Sequence, residues 1–352
     1  MKKLVSLIMV FLLMFSVAAA EGTLVPNEDK TNIPLKDAYE ENPVVEGESP
    51  ITGLEIKEPY TPIMIVLDNA EDAYPHWGVC DASMMIQIPN DGSGSSKILA
   101  LFADEYPERA GGVRSARMTM IPVAYSFDAA FASGGMANVK GNMVNVREHL
   151  GVWGFTKNAK FYDLLGKRYK DREKFVKEPH NLTCMVKEIH NHLIEVNAEF
   201  KKRPYLFTDE PLTRGDDAKH IVVKQYVNKK EGKVNHASYA EYDFEEGIGY
   251  TRTSATGKNI DRFAETELTF QNLIILRVSL RFQDSYQYIA GHMTGSGCAD
   301  IFQDGKYIRG AWVRNGYDGR IIIVDEEGNE LPLQRGRTFM VITDKNTDVI
   351  YE

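Results

Sequence analysis

The sequence is short of cysteine, of net positive charge and of long apolar runs. Its 352 residues hold three cysteines, Cys80, Cys184 and Cys298, which cannot form a disulfide-rich scaffold. Lys and Arg number 41 against 50 Asp and Glu, a net charge of -9. This balance argues against a general nucleic-acid binder, since phosphate contacts need a concentrated basic face. We expect buried, inert cysteines, with one disulfide plus a free thiol as the alternative.

Motifs for common cofactors and metals are also missing. The chain has no phosphate-loop motif and no dinucleotide fingerprint. His190 and His192 are two residues apart and would point to different sides of a helix, so they do not suggest a shared metal ion. The acidic residues within 209–217 are typical of a solvated loop, with weak Ca²⁺ binding as the alternative. We therefore expect no cofactor and no metal.

The one long apolar run opens the chain. Two lysines precede an uninterrupted apolar stretch from Leu7 to Phe15, and the alanines at 18–20 offer a small-residue cleavage site. This layout predicts a signal peptide over residues 1–20 and an extracellular or cell-envelope location. The alternative is a retained anchor, because the apolar segment approaches the ~20 residues that a spanning helix needs. After cleavage we expect no membrane span.

Acidic residues are concentrated just after this segment. Residues 21–48 hold eight acids and two lysines, a charge of -6. Three prolines are spread through the stretch, and its few apolar residues have neither helical nor alternating spacing. We predict a disordered acidic linker over 21–48. The rest of the chain is then close to neutral, which is compatible with a local site for an anion.

Residues 49–200 alternate between strand-like and helix-like patterns. Buried strands are predicted at Ile63–Leu67, Met84–Ile88, Ile98–Phe102 and Asp128–Ser133, and helices at Ser115–Ser126, Met136–Leu150 and Thr183–Val196. Beyond Lys201, runs rich in Val, Ile, Tyr and Phe are separated by glycine-containing turns. The predicted class is α+β or α/β, with an N-terminal α/β layered domain over 49–200 and a β-rich C-terminal domain over 219–346.

Several motifs occur in the order found in a known family. The central one is Gly111-Gly112-Val113-Arg114-Ser115-Ala116-Arg117, and the others include Ile65–Asn69, Gly134-Gly135, Pro179–Leu182 and Tyr250-Thr251-Arg252. The chain thereby resembles the YerB-like family of predicted lipoproteins over nearly all of Ser49 to Lys345. The resemblance implies a two-part extracytoplasmic module of Gram-positive bacteria with no firmly assigned reaction.

The sequence also departs from that family's pattern. No cysteine that could carry a lipid lies near the predicted cleavage site. Ser96-Lys97 replaces an arginine expected just before the third strand, and Ala132-Ser133 replaces a histidine common before the glycine pair. The acidic, glycine-rich segment expected after the second strand is here Gln87–Gly94. An activity that needs those groups is placed in question.

Arg114 and Arg117 are the strongest candidates for chemistry. They flank Ser115 at a predicted loop-to-helix transition, where free backbone amides and the helix dipole favour an anion. Three residues apart on one helix face, two guanidinium groups can clamp one phosphate or carboxylate. The alternative is a structural role in which they pair with acids such as Asp68.

Asp68 and Asn69 follow a predicted buried strand, where ligand groups gather in open α/β sheets. Asp68 is suited to holding Arg114, binding a divalent cation or acting as a base, whereas the alternative is a plain Asp-Asn turn. The glycine pair Gly134 and Gly135 completes this part of the predicted ligand-binding set.

His180 and Asn181 form the other polar pair. A histidine can move protons near neutral pH, and an asparagine can orient a ligand. The alternative makes Asn181 the cap of the following helix. A third hypothesis treats Ser115 as a nucleophile activated by His180 and Asp68, although no nucleophile-elbow pattern surrounds it.

Two functions therefore compete. The first is a secreted or envelope-associated protein that binds a phosphorylated or carboxylated ligand through Arg114 and Arg117. The second is a protein–protein interaction module of the envelope, marked by an exposed apolar patch around Trp312 and by arginines buried in salt bridges. The expected partner is an envelope ligand or an envelope protein, and the sequence leaves open whether the protein is an enzyme.

Overall fold

The structure is a computed structural model that describes residues 22–90, 95–138, 145–156, 159–228, 232–282, 289–290 and 293–352. The predicted signal peptide lies outside the described residues. So does the middle of the predicted helix Met136–Leu150.

Up to residue 200, the described chain forms short strands and three α-helices. The strands are β1 (Thr23–Leu24), β2 (Ile63–Asp68), β3 (Met84–Pro89), β4 (Ser96–Phe102), β5 (Ala110–Gly111), β6 (Ala130–Ser133), β7 (Phe161–Asp163), β8 (Lys170–Arg172) and β9 (Leu182–Cys184). The helices are α1 (Met120–Ser126), α2 (Val146–Val152) and α3 (Val186–Glu195), with a 3₁₀ turn at Glu71–Ala73.

Beyond residue 200, the described residues in regular structure form strands. These are β10 (Phe207–Thr208), β11 (Asp216–Asp217), β12 (His220–Asn228), β13 (Lys233–Glu245), β14 (Gly249–Ser254), β15 (Gly257–Lys258), β16 (Ile260–Asp261), β17 (Thr266–Glu267), β18 (Thr269–Phe270), β19 (Asn272–Arg277), β20 (Arg281–Phe282), β21 (Ile289–Ala290), β22 (Gly295–Gln303), β23 (Lys306–Arg314), β24 (Ile322–Val324), β25 (Leu333–Gln334), β26 (Thr338–Thr343) and β27 (Thr347–Tyr351).

One sheet runs through both parts of the chain. Its strand order is β11-β23-β22-β19-β26-β3-β4-β2-β6-β7, with β24 paired to β23. The two parts meet where β26 pairs in parallel with β3, so that Phe339 lies opposite Met85. A second sheet has the order β1-β27-β12-β13-β14-β15, with β18 paired to β14. The main sheet is therefore continuous across the predicted division of the chain.

Strand β2 is buried on both faces, which explains its uninterrupted apolar sequence. Ile65 and Leu67 belong to a core shared with α3 and the second sheet. Met64 and Val66 belong to the opposite core, which includes residues of α1 and α2. Because successive side chains of a strand alternate between faces, both cores fix the orientation of β2 and of Asp68 at its carboxyl end.

The predicted buried strands are confirmed, whereas the helices are shorter than predicted. Helix α1 begins at Met120 rather than Ser115, and Pro122 lies in its first turn, where proline is tolerated. Helix α3 occupies Val186–Glu195. The chain is β-rich and poor in helix, so the α+β or α/β label describes it only loosely.

Residues 22–48 lie along the folded body, and the prediction of a disordered linker is wrong for them. Strand β1 pairs antiparallel with β27, and Val25 is buried. Further along, the Asn42 side chain donates to the carbonyl of Pro204 at 3.0 Å. The segment is ordered by hydrogen bonds to the folded body and not by an apolar periodicity of its own. Its amino-acid composition therefore does not predict this arrangement.

Candidate functional site

The candidate site is centred on Asp68, whose side chain is 2% exposed. The antiparallel pairing of β2 with β4 places Lys97 directly opposite Asp68. Lys97 Nζ donates to Asp68 Oδ1 at 2.6 Å. The β3–β4 hairpin therefore delivers a buried cation to the carboxylate. In the sequence, Lys97 is noted only because Ser96-Lys97 stands where the family pattern has an arginine, and no motif links it to Asp68.

The Gly-Gly-Val-Arg segment runs beside β2. Arg114 N donates to Val66 O at 2.8 Å, and Asp68 N donates to Gly112 O at 2.9 Å. A Cβ atom at Gly112 would lie 2.0 Å from His180 O, so this close passage requires glycine. These contacts carry Arg114 to the carboxylate, with Nε 2.9 Å from Asp68 Oδ2.

His180 approaches the same carboxylate from the loop before β9. Its Nδ1 lies 2.8 Å from Asp68 Oδ2, the oxygen that Arg114 also contacts. The side chain of His180 is 14% exposed and that of Arg114 is 31% exposed. The cluster therefore extends from a buried carboxylate to an arginine at the surface.

Asp68 stays ionised although it is buried. Burial by itself raises the pKa of this carboxyl, but Lys97, Arg114 and the hydrogen bond from His180 together bring it down to about 2. The pKa of Lys97 is lowered by burial, which together with the charges of Arg114 and Arg117 outweighs the attraction of Asp68. Among the described residues, one carboxylate thus faces several cations.

The cluster has more hydrogen-bond donors than acceptors. In the part of the chain that the structure describes, no protein group forms a hydrogen bond with the terminal nitrogens of Arg114. The Lys97 ammonium uses one of its three donors on Asp68. An acceptor-rich anion could use these free donors.

Gly134 and Gly135 support the backbone of the Arg114 segment. Gly134 N donates to Arg114 O at 3.0 Å, and Gly135 O accepts from Ala116 N at 2.9 Å. A Cβ atom at Gly134 would lie 2.5 Å from the side chain of Leu182. The glycine pair therefore allows β6 to end close against this segment.

Asn69 and Asn181 have protein partners. Asn69 Nδ2 donates to Ser96 Oγ at 2.8 Å and so links the ends of β2 and β4. Asn181 Oδ1 accepts from Arg172 Nη1 at 2.8 Å. Asn181 is not a helix cap, because α3 begins only at Val186. Its side chain is hydrogen-bonded within the β8–β9 hairpin.

Arg117 does not lie on a helix, and the predicted clamp on one helix face does not form. The backbone around it is extended, with bridges from Val113 to Leu67 and from Ala116 to Met136. Arg117 Nη1 donates to Ala116 O at 3.0 Å. The backbone of this segment forms hydrogen bonds with β2 instead of within a helix. Tertiary pairing therefore outweighs the helical spacing of Arg114 and Arg117.

Ser115 lies in the same extended segment. Within the described residues, no hydrogen bond joins its hydroxyl to His180. The nucleophile hypothesis for Ser115 is therefore without geometric support.

A buried polar layer lies behind the cluster, and the sequence motifs do not predict it. His76 Nε2 donates to Asp68 O at 2.6 Å, and its ring centroid lies 4.3 Å from that of Tyr74. Arg252 of β14 is fully buried, and its Nη2 donates to Gln87 Oε1 at 3.1 Å. Among the described residues it has no carboxylate at ion-pair distance. The later part of the chain thus places a second buried cation near the site.

Acid is expected to destabilise the fold through His76. Burial lowers the pKa of His76 from 6.5 to about 4, so the unfolded chain takes up this proton first as the pH falls. Above pH 6.5 the titration of His76 does not affect the free energy of unfolding. Between pH 6.5 and pH 4 it lowers that free energy by about 3 kcal/mol, at 1.36 kcal/mol per pKa unit. Urea unfolding at pH 7 and pH 4 measures the loss. His76→Gln should show a smaller pH dependence, and an equal one would refute this origin.

Trp312 is buried, which contradicts the expected exposed patch. Its Nε1 donates to Arg277 O at 2.8 Å. Trp312 lies in β23, and its side chain is part of the core. The predicted mark of an interaction module is absent at this residue.

The three cysteines are unpaired. Cys184 and Cys298 are buried, and burial raises the pKa of the partly buried Cys80 to about 12. Among the described residues, no group of three or more His, Cys, Asp or Glu is arranged to hold a metal ion. No helix in the described ranges is both long and apolar enough to cross a membrane.

A groove of about 760 Å³ lies at the opposite end of the strands and is lined by Asp128, Lys160 and Lys201 among others. Asp128 precedes β6, whereas Asp68 ends the parallel strand β2. The Asp128 carboxylate accepts from Lys160 Nζ at 2.7 Å and from Lys201 N at 2.6 Å. These contacts use both carboxylate oxygens and a lysine ammonium. The groove is therefore a weaker candidate than the Asp68 cluster.

Comparison with known proteins identifies the family. The chain matches the N-terminal domain of a protein family of unknown function, DUF3048, over residues 51–203 and its C-terminal domain over residues 227–340. It is 27% identical over 300 residues to the protein named "Putative lipoprotein YerB" of Bacillus subtilis (strain 168), covering 84% of this chain and 85% of that protein.

A solved structure has the same fold. The crystal structure of YerB from Bacillus subtilis is similar with a TM-score of 0.69 at 23% identity, and the match covers 86% of this chain and 99% of that one. The resemblance seen in the sequence motifs is confirmed. This chain belongs to the DUF3048 family of proteins of unknown function, with both domains of the family present.

Proposed function

We propose that this protein binds a phosphorylated or carboxylated ligand at the Asp68 cluster, outside the cytoplasm and in association with the cell envelope. The envelope location is supported by the predicted signal peptide over residues 1–20 and by the lipoprotein name of the Bacillus relative. The ligand class is supported by the charges and free donors of the cluster.

One observation carries the proposal. A single buried carboxylate, Asp68, organises Lys97, Arg114 and His180, and of these Lys97 and Arg114 retain donors that no described protein group uses. If the arrangement served only to join the layers, donors and acceptors would be expected to balance. The surplus of positive charge and of donors is suited to an anion with several acceptor oxygens.

The groups are also arranged by depth. Asp68 and Lys97 are buried and set the positions of the others, while Arg114 reaches the surface. A ligand bound there would exchange hydrogen bonds with a pre-positioned guanidinium, which limits the entropy lost on binding. We therefore assign the primary contact to Arg114 and a supporting contact to Lys97, with the His180 ring beside the ligand.

Arg114→Ala is expected to weaken anion binding at least about ten-fold, which corresponds to about 1.4 kcal/mol. Titration calorimetry of the full chain with pyrophosphate and with citrate, at low ionic strength, measures the affinity and separates phosphate from carboxylate preference. Arg114→Lys should recover only part of the affinity, because lysine lacks the forked donors.

The matched control is Arg147→Ala, which removes an exposed arginine of α2 whose Nη2 lies 3.8 Å from Asp163 Oδ2. It lowers the net charge by the same amount and should leave the affinity unchanged. Equal weakening by both variants would show a general charge effect. Unchanged affinity in a folded Arg114→Ala variant would refute the proposal.

A further inference from the structure

His180 has its two ring nitrogens in different environments. Nδ1 lies 2.8 Å from Oδ2 of Asp68. Asp68 is held ionised by Lys97, Arg114 and His180, so its oxygens can only accept, and the hydrogen of a neutral His180 ring must be on Nδ1. Nε2 then carries a lone pair, and within the described residues it has no hydrogen-bond partner. This arrangement leaves one nitrogen available as a base.

The other buried histidines of the N-terminal domain lack this combination. His76 is fully buried, and its Nε2 is used by the carbonyl of Asp68. His190 is also buried, bonds Thr61 through Nδ1, stacks on Tyr106 and has Nε2 3.4 Å from Glu58 Oε2. His180 alone among these three pairs one nitrogen with a carboxylate while its ring remains partly exposed. A structural histidine gains nothing from that partial exposure, whereas a base needs it.

The base stands next to a cation. Arg114 Nε and His180 Nδ1 both contact Asp68 Oδ2, so the guanidinium and the imidazole are neighbours on one oxygen. An anion held by the terminal nitrogens of Arg114 would therefore lie beside the His180 ring. Lys97, on the other oxygen of Asp68, adds positive charge that stabilises further negative charge on such a ligand.

We propose that His180, oriented by Asp68, is the general base of a phosphodiesterase reaction at this cluster. The inference rests on the anion-binding function proposed above and names its substrate class as a phosphodiester. His180 is then the catalytic residue, because it would touch the attacking water. Asp68 is a positioning residue that fixes the ring and its tautomer.

Hydrolysis of the phosphodiester needs no reactant other than water. Nε2 takes a proton from water as the water oxygen forms a bond to phosphorus, and the bond from phosphorus to the leaving oxygen breaks. The protonated His180 then returns that proton to the leaving alkoxide, which departs as an alcohol. The products are a phosphomonoester and an alcohol, and Arg114 and Lys97 counter the charge that builds on the phosphoryl oxygens.

The test uses the full chain and bis(p-nitrophenyl) phosphate, with release of p-nitrophenolate as the readout. The intact protein should release it faster than buffer, and His180→Ala should lose at least about 100-fold of that rate. Imidazole added to His180→Ala should restore part of the rate. The matched control is His220→Ala, which removes the histidine of a second histidine–aspartate pair, with Asp243 at 2.7 Å, and should keep full activity.

The tautomer that Asp68 imposes on His180 is tested by NMR spectroscopy. The ¹⁵N chemical shifts of the His180 ring should show the hydrogen on Nδ1 in the intact protein. A ring with its hydrogen on Nε2 would overturn the inference.

The outcomes separate this inference from the function on which it rests. If pyrophosphate binds but the diester is not hydrolysed, the base role is refuted and anion binding stands. If neither occurs, both fail. A rate that survives in His180→Ala, or a lost rate that imidazole does not restore, also contradicts the base role.

Discussion

Replacing Asp68 by asparagine is expected to cost about 3–5 kcal/mol of folding free energy, the usual penalty for removing one member of a buried ion pair. The change keeps the shape of the side chain but leaves Lys97, Arg114 and His180 facing one another without the carboxylate. Equilibrium unfolding in urea at pH 7 measures the loss. The slope of free energy against urea should stay constant, since the buried surface is the same.

The control for Asp68→Asn is Glu105→Gln, which neutralises the acid of an exposed ion pair with Lys57. Such pairs contribute little, so the unfolding midpoint should barely move. A small effect of Asp68→Asn would mean that water reaches the cluster and screens it. A double variant with Lys97→Met should recover part of the loss, because it removes one of the unpaired charges.

Asp300→Asn is the second change with a large expected effect, again about 3–5 kcal/mol. Asp300 is fully buried and pairs with Arg277, whose Nη2 lies 2.9 Å from Oδ2, and with Arg309. Arg277 also donates through Nη1 to Asn27 Oδ1 at 2.9 Å. Arg277 would therefore lose its counter-charge in the interior, and Arg309 would lose its own at a partly exposed position. Guanidinium chloride unfolding measures the cost.

The same variant tests how residues 22–48 are held. Because Arg277 contacts Asn27 and Arg309 Nη2 donates to Pro26 O, disturbing the triad should release this segment before the rest unfolds. Limited proteolysis should then cut Asp300→Asn within 22–48 faster than the intact chain. Asp217→Asn, in the more exposed pair with Lys306, should behave like the intact protein in both assays.

The continuous sheet links the strands that carry the cluster to the C-terminal domain. Asp68, Arg114 and His180 all come from the N-terminal domain, yet β3 in the middle of the sheet pairs with β26 of the C-terminal domain. Arg252, on the C-terminal side, reaches Gln87 of β3. Separating the domains would therefore expose a sheet edge and the polar layer behind Asp68, so the site depends on both.

Several features follow from short-range patterns in the sequence. The apolar runs at Ile63–Leu67 and Ile98–Phe102 identify buried strands, because few other elements are so short and so uniformly apolar. The Asp-Asn pair after the first run and the Gly-Gly-Val-Arg motif identify residues that the structure brings together. These signals are local, and each can be read from fewer than about ten residues.

Other features depend on partners far away in the sequence. The spacing of Arg114 and Arg117 fits a helix. In the structure, the backbone at Gly112 and Arg114 instead forms hydrogen bonds with β2, and the segment is extended. Residues 22–48 have the composition of a disordered linker, but their hydrogen-bond partners lie some 160 to 320 residues away. Composition and periodicity cannot register such partners.

The sequence by itself determined the family, the buried strands and the presence of an arginine motif and of an Asp-Asn pair after a buried strand. Only the tertiary structure decided that Lys97 and His180 share the carboxylate of Asp68, that Arg117 leaves the predicted clamp, and that the acidic segment is bound to the body. The physical reason is that strand identity depends on local burial patterns, whereas charge clusters depend on which strand ends the sheet brings together.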